Sequence, residues 1–134
     1  MMAPMVVTEA DGTGAALGSG GSNRIRTAIL QVVLNLLMFR APLAEAVARP
    51  RIHFEKGHLD VEPGFDDAAV DAAAEAFPDI KRWDAINMFF GGVHAARRAP
   101  RGHGFDAASD PRRCRAISSS PSPMMIVQRG LFPR

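Results

Sequence analysis

The firmest periodic signal in the chain runs from Ile25, where apolar residues fall at positions 25, 28, 29, 32, 33, 36 and 37. That spacing is one face of a helix and predicts a helical segment over 25–37. Ser22 or Asn23 is a suitable N-cap, since a short polar side chain can accept from the unpaired N–H groups of the first turn. Pro42 bars continuation but suits the opening turn of a second helix, "PLAEAVAR", which Pro50 ends. Before the long helix, Met5–Val7 and Ala15–Leu17 are short strand candidates around "EADGTG", whose Asp11-Gly12 pair is a hairpin-turn signal.

Downstream, "RIHFEKGHLDVEPGF" alternates apolar and polar residues around Lys56-Gly57-His58, predicting a hairpin of Ile52–Glu55 with Leu59–Glu62. "DDAAVDAAAEAF" opens on two acids, as a helix N-terminus favours, and Pro78 stops it. "AINMFFGGVHAARR" reads as a strand pair turning or bulging at Gly91-Gly92, and "GFDAASDPRR" as a short strand and turn. After Arg113 periodicity is lost and Ser and Pro accumulate, so residues 114–134 read as an unfolded, divergent tail. The sum is a mixed α and β chain.

With 134 residues there is room for one domain and one core. Gln31 and Asn35 interrupt the longest apolar run, so no membrane span is expected. "MMAPMVV" has neither the basic start nor the apolar stretch of a signal peptide. Cys114 is the one cysteine, which excludes an internal disulfide and a CxxC-type zinc site; as a nucleophile it would need a base and a pocket. The net charge of +2 conceals an asymmetry: residues 97–134 carry eight Arg against two Asp, and residues 1–96 eight basic against twelve acidic groups. A basic tail can attract nucleic acid or an anionic membrane. An abrupt passage into Arg, Ser and Pro is also what a shifted reading frame in GC-rich DNA gives, and no nucleic-acid partner is expected.

Several residues are candidates for chemistry. His53 and His58 could be brought close by the hairpin as a metal pair, with no third ligand evident. Asp66, Asp67, Asp71 and Glu75 could be acid/base carboxylates, but on an Ala-rich helix they read more simply as a solvated face. Asp106 and Asp110 lie in loop contexts that suit turn capping. Gly20, Gly21 and Ser22 form a glycine loop entering the long helix, where backbone N–H groups can face a ligand.

The segments "LGSGGSNRIRTAILQVVLNLL", "PLAEAVARPRIHFEKGHLDVEPGF", "MFFGGVHAARR" and "GFDAASDPRR" follow each other in the order and spacing of the gamma-glutamyltransferase (gamma-glutamyltranspeptidase, glutathione hydrolase) family. The resemblance covers about residues 3 to 113, and "APMVV" resembles the stretch before the family's glycine loop. It implies an α+β fold, part of the αββα sandwich of N-terminal-nucleophile hydrolases, with residues 1–113 as the C-terminal portion of the small-subunit domain. It implies acyl transfer of a γ-glutamyl group to water or an amine, with no cofactor and no metal.

In the family the loop reads Gly-Ser-Pro-Gly-Gly-Ser-Arg-Ile, and the N–H groups of its paired glycines form the oxyanion hole. Alignment on Arg24-Ile25 places that pair at Gly21 and Ser22; alignment on the Gly-Gly places it at Gly20 and Gly21. The family's nucleophilic Thr lies upstream of this loop, as do the groups that hold the substrate, so the resemblance implies an oxyanion loop that needs a separate nucleophile-bearing portion and large subunit. A γ-glutamyl substrate such as glutathione would then be bound only by the complete enzyme, and the chain alone would be inactive. The alternative is a non-catalytic binding protein using an open sheet edge or the basic tail. Strands supplied from elsewhere would also leave open edges and an uncovered apolar face, making the isolated chain marginally stable.

Overall fold

The computed structural model describes residues 2–98 and 104–113. Met2–Thr8 (β1) and Gly14–Gly20 (β2) pair antiparallel in unbroken register from Met2↔Gly20 to Thr8↔Gly14. The turn between them is the one Asp11-Gly12 predicts. The Asp11 carboxylate accepts from the Thr13 N–H at 2.8 Å, and Gly12 takes φ +81°. The strands are longer than the apolar triplets at their centres, because β2 is also paired on its other side. There it meets Gly92–Arg98 (β6), and β6 in turn meets Phe105–Ala108 (β7), giving an antiparallel sheet of order β1-β2-β6-β7.

Two helices cover one face of this sheet. Ile25–Leu37 (α1) runs over the predicted span and turns Ile25, Ala28, Ile29, Val32 and Leu36 inward. Leu43–Ala48 (α2) adds Leu43, Ala46 and Val47, and the alternating positions Leu17, Val93 and Ala95 meet them from the sheet. These residues make the principal core. The other face of β2 and β6 presents Ala16, Gly18, Gly20, His94 and Ala96, none of them fully buried.

A second, smaller sheet is built from Ile52–Glu55 (β3), His58–Val61 (β4) and Ile80–Arg82 (β5). β3 and β4 form the predicted hairpin, but the returning strand begins one residue earlier than Leu59. Lys56 and Gly57, at φ +53° and +89°, complete a two-residue turn alone, which frees His58 to pair with Glu55. Asp67–Ala76 (α3) crosses over to β5, which lies parallel to β4, and Val70 packs on Leu59 and Val61. The three-residue β5 has no alternation of its own and is not foreseeable from the sequence.

Two further expectations are corrected. Residues 85–98 are not a strand pair. Met88–Phe90 is a single 3₁₀ turn, capped by the Asn87 side chain accepting from Phe89 N–H at 2.9 Å, and only β6 follows as a strand. The aromatic rings decide this: Phe89 and Phe90 gather on Trp83 with centroids 4.9 and 5.5 Å away, and a tight turn brings both there where an alternating strand would separate them. Neither Ser22 nor Asn23 caps α1. The capping position is Arg24, with no side-chain cap, and Asn23 is drawn instead into a tertiary contact described below. The tail 114–134, Cys114 included, lies outside the described residues.

Candidate active site

β2 ends at Gly20, and the chain then turns through Gly21 and Ser22 into α1, with Ile25 N–H donating to the Ser22 carbonyl at 3.1 Å. Gly21 has φ +145°, a conformation that a residue with a Cβ adopts only under strain. Among the described residues, no acceptor takes the N–H of Gly21, Ser22 or Asn23. Strand end, positive φ and helix start together leave a row of backbone donors at the positive end of a helix dipole. Such a row can polarise a carbonyl or hold an oxyanion.

The loop is held from below by β3. Asn23 Nδ2 donates to Glu55 Oε1 at 2.8 Å, and that bond first of all holds the Glu55 carboxyl below its ordinary range. Thr27 Oγ1 stands 2.9 Å from His53 Nδ1 and donates to the Arg24 carbonyl at 3.1 Å. The Arg24 guanidinium lies over the Phe89 ring at 3.8 Å. His53 and Glu55 occupy alternate positions of one strand and so share a face, which is how two residues spaced by one can grip the loop and the first turn of α1 at once.

His53 and His58 do share a face of the hairpin, in the register rungs His53↔Asp60 and Glu55↔His58. Among the described residues, no group of three or more potential metal ligands converges there. His58 is instead 2.8 Å from Asp79, and that bond above all raises its pKa from the ordinary 6.5. Asp66 is the N-cap of α3, accepting from Ala69 N–H at 3.1 Å; Asp67 lies in its first turn, and Asp71 pairs with Arg82. With Glu75 exposed as well, the helix acids are a solvated face. Asp106 caps no turn; it lies exposed in β7 opposite Arg97.

Asp110 does cap a turn, accepting from the Arg112 N–H at 2.9 Å, but it does much more. Its carboxylate is fully buried, 2.6 Å from Arg51 and 3.1 Å from Arg112, and it also accepts from Val93 N–H at 2.7 Å. Arg112 completes the cluster by gripping Glu62 through two nitrogens, Nε at 2.8 Å among them. Burial alone would push Asp110 up, yet the Val93 N–H and the two guanidinium groups hold it below the usual carboxylate range. Burial works against Arg112 as well, and Glu62 more than offsets it, so its pKa is raised. Burial and the neighbouring Arg112 lower that of Arg51. Nothing local in the sequence marks these four residues as buried partners.

An open cleft reaches the glycine loop. It measures about 360 Å³ and is lined by Met2, Ala3, Pro4, Gly18, Ser19, Gly20, His94 and Arg113, on the sheet face opposite the helices. No helix among the described residues is long and apolar enough to cross a membrane.

Comparison with known proteins agrees with this architecture. The family profile described as Gamma-glutamyltranspeptidase matches residues 1–120. The glutathione hydrolase proenzyme of Pseudomonas aeruginosa is 32% identical over 117 residues, an alignment that covers 83% of this chain and 20% of that protein. The gamma-glutamyltranspeptidase of Pseudomonas nitroreducens, solved in complex with L-DON, superposes with a TM-score of 0.67 at 30% identity, covering 90% of this chain and 62% of that one. That of Helicobacter pylori gives a TM-score of 0.71 at 27% identity, with 84% and 61% covered. The fold is therefore α+β and of the N-terminal-nucleophile hydrolase class. Within that class, the chain belongs to the gamma-glutamyltranspeptidase family. It spans 12 to 20% of the length of the curated relatives it matches.

Proposed function

We propose that the chain is the C-terminal part of a gamma-glutamyltranspeptidase small subunit and that its glycine loop is the oxyanion hole of γ-glutamyl transfer. The observation that carries this reading is the positive φ of Gly21 beside the open N–H groups of Gly21 and Ser22. It supports the pair Gly21 and Ser22, with Gly20 as the last strand residue before it.

The nucleophilic Thr is supplied by the part of the enzyme that lies upstream of this loop. Its oxygen adds to the γ-carbonyl of a substrate such as glutathione, and the carbonyl oxygen takes up the negative charge that the loop N–H groups accept. Collapse breaks the C–N bond, and the amine leaves with the proton that the Thr hydroxyl gave up. Water or an acceptor amine then attacks the ester and restores the Thr. Preorganised donors of this kind each supply about 3 to 4 kcal/mol of transition-state stabilisation. The chain alone, contributing donors and no nucleophile, is inactive.

The test is glutamate release from glutathione by the purified chain, by a nucleophile-bearing upstream portion, and by the two combined. Activity is expected only in the combination. Gly21→Ala should then lower kcat by roughly 10²-fold with little change in KM, because a Cβ there disfavours the φ that aims the donors. Turnover by the chain alone, or an unchanged kcat in the Gly21→Ala combination, would overturn the reading.

A further inference from the structure

Three contacts tie β3 to α1 and the loop before it. Gln31 grips the backbone of Ile52, its Nε2 donating to the Ile52 carbonyl and its Oε1 accepting from the Ile52 N–H, each at 2.9 Å. One turn earlier Thr27 meets His53, and one step further back Asn23 meets Glu55. Residues 31, 27 and 23 are spaced by four, so they follow one line along the helix and past its start. The first two contacts lie within α1. The third reaches into the glycine loop, next to Ser22.

The row Thr27–His53–Glu55 is not a nucleophile with its base. Thr27 has one hydroxyl hydrogen, and it goes to the Arg24 carbonyl at 3.1 Å. Its oxygen is then the acceptor for His53 Nδ1–H, so the imidazole is a donor to Thr27. The other ring nitrogen, Nε2, is buried with no hydrogen-bond partner among the described residues and stands 3.6 Å from Glu55 Oε2. Oε1 of the same carboxylate is what Asn23 receives.

Asn23 has a competing use for its side chain. It is a suitable N-cap for α1, and a capping Asn accepts from the second or third N–H of the helix. A helix capped by Asn23 would begin one residue earlier and draw Ser22 and Gly21 toward its axis. The observed helix is capped at Arg24, with no side-chain bond, while Gly21 keeps φ +145° and the Gly21 and Ser22 N–H groups have no internal acceptor.

From this geometry we infer that Glu55 is a positioning residue of γ-glutamyl transfer: by holding Asn23 away from the cap, it fixes the direction of the Gly21 and Ser22 N–H groups. This deepens the oxyanion reading of the loop and rests on it. In this role Glu55 touches no reacting atom and acts only through Asn23. The contact requires an acceptor oxygen, which a carboxylate or an amide can supply.

The experiment is kinetic and uses the chain combined with the nucleophile-bearing upstream portion, with glutathione as substrate. Glu55→Ala should lower kcat about 10- to 100-fold at constant KM, the scale of a misplacement of about 1 Å at the reacting centre. Glu55→Gln keeps an oxygen for Asn23 and should retain most of the parent kcat. Adding Asn23→Ala to Glu55→Ala should cost nothing more, because the two residues act as one pair. In the isotope-labelled full chain, without substrate, hydrogen exchange at the Arg26 amide should slow in Glu55→Ala, where Asn23 is free to cap it, and stay at the parent rate in Glu55→Gln. Glu55 is a third exposed, and parent-like thermal midpoints would show that the variants fold. The inference is overturned if Glu55→Ala keeps the parent kcat, if its loss falls on KM instead, or if Glu55→Gln is no better than Glu55→Ala. Gly21→Ala separates the two readings. A lowered kcat there beside a parent kcat in Glu55→Ala removes this inference and leaves the oxyanion loop. An unchanged kcat in Gly21→Ala removes the oxyanion reading, and Arg26 exchange still reports whether Glu55 governs the loop.

Discussion

The Arg51 guanidinium and the Asp110 carboxylate, 59 residues apart in sequence, meet at 2.6 Å in the interior. Arg51 also donates to the carbonyls of Gly91 at 2.6 Å and Val47 at 3.0 Å. One side chain thereby joins the start of the β3–β4 hairpin, the end of α2, the residue before β6 and the final turn. Because that turn carries Arg112 and Arg113, the ion pair also sets where Arg113 stands, its guanidinium donating to the Gly20 carbonyl.

Removing one partner leaves the others buried with unbalanced charge. Asp110→Asn keeps the shape and removes the charge, and it should lower the unfolding free energy by about 3 to 5 kcal/mol. Urea denaturation of the variant against the parent measures this; a loss under about 1 kcal/mol would show that the cluster is solvated in solution.

The same carboxylate makes stability depend on acid. Its folded-state pKa lies below the ordinary 3.8, so its contribution is fully present above that value and is lost as pH falls through the folded-state pKa. Thermal midpoints should therefore drop on acidification below about pH 4, and the drop should be shallower in Asp110→Asn. His58 has the opposite sign. Its pKa is raised, so its small contribution is present below 6.5 and fades as pH rises through the folded-state value, which an NMR titration of His58 in Asp79→Asn should bring back down.

At α3 a single hydrogen bond can be tested cleanly. Asp66 accepts from Ala69 N–H at the helix start, and Asp66→Ala should cost about 1 kcal/mol. Asp66→Ser, which keeps an acceptor, should recover most of it. Equal midpoints for all three proteins would dismiss the cap.

The outer side of α1 is apolar where it faces solvent: Leu30, Leu34, Met38 and the following Phe39 are 55, 39, 72 and 67% exposed. The chain should therefore self-associate with rising concentration, and the pair Leu34→Glu and Met38→Glu should shift it toward monomer in sedimentation without lowering its thermal midpoint. A parent chain that is monomeric throughout would remove this expectation.

Elements whose cause is local were readable in the sequence. The apolar spacing of Ile25 to Leu37 gives α1 its span, Pro42 and Pro50 bracket α2, and Asp11-Gly12 makes the first turn. Elements whose cause is distant were not. β5 exists because β4 offers it a parallel edge, and Met88–Phe90 coils because Trp83 awaits its rings. Asn23 fails to cap α1 because Glu55, 32 residues on, takes its side chain. The glycine loop could be named from its own residues and their resemblance to a family. Its supports could not, since His53, Glu55 and Arg113 reach it only through tertiary pairing.

The placement of the buried cluster also orders events in time. A chain emerging from the ribosome exposes Arg51 and Glu62 long before Asp110 and Arg112 are made, and neither early residue has its charged partner until then. The hairpin cannot settle fully against α2 and β6 while the Arg51 guanidinium between them lacks the Asp110 carboxylate. Native packing of this region therefore waits on the last turn described here, and a nascent chain halted before residue 110 would present the apolar faces of α1 and the sheets to chaperones instead of to each other.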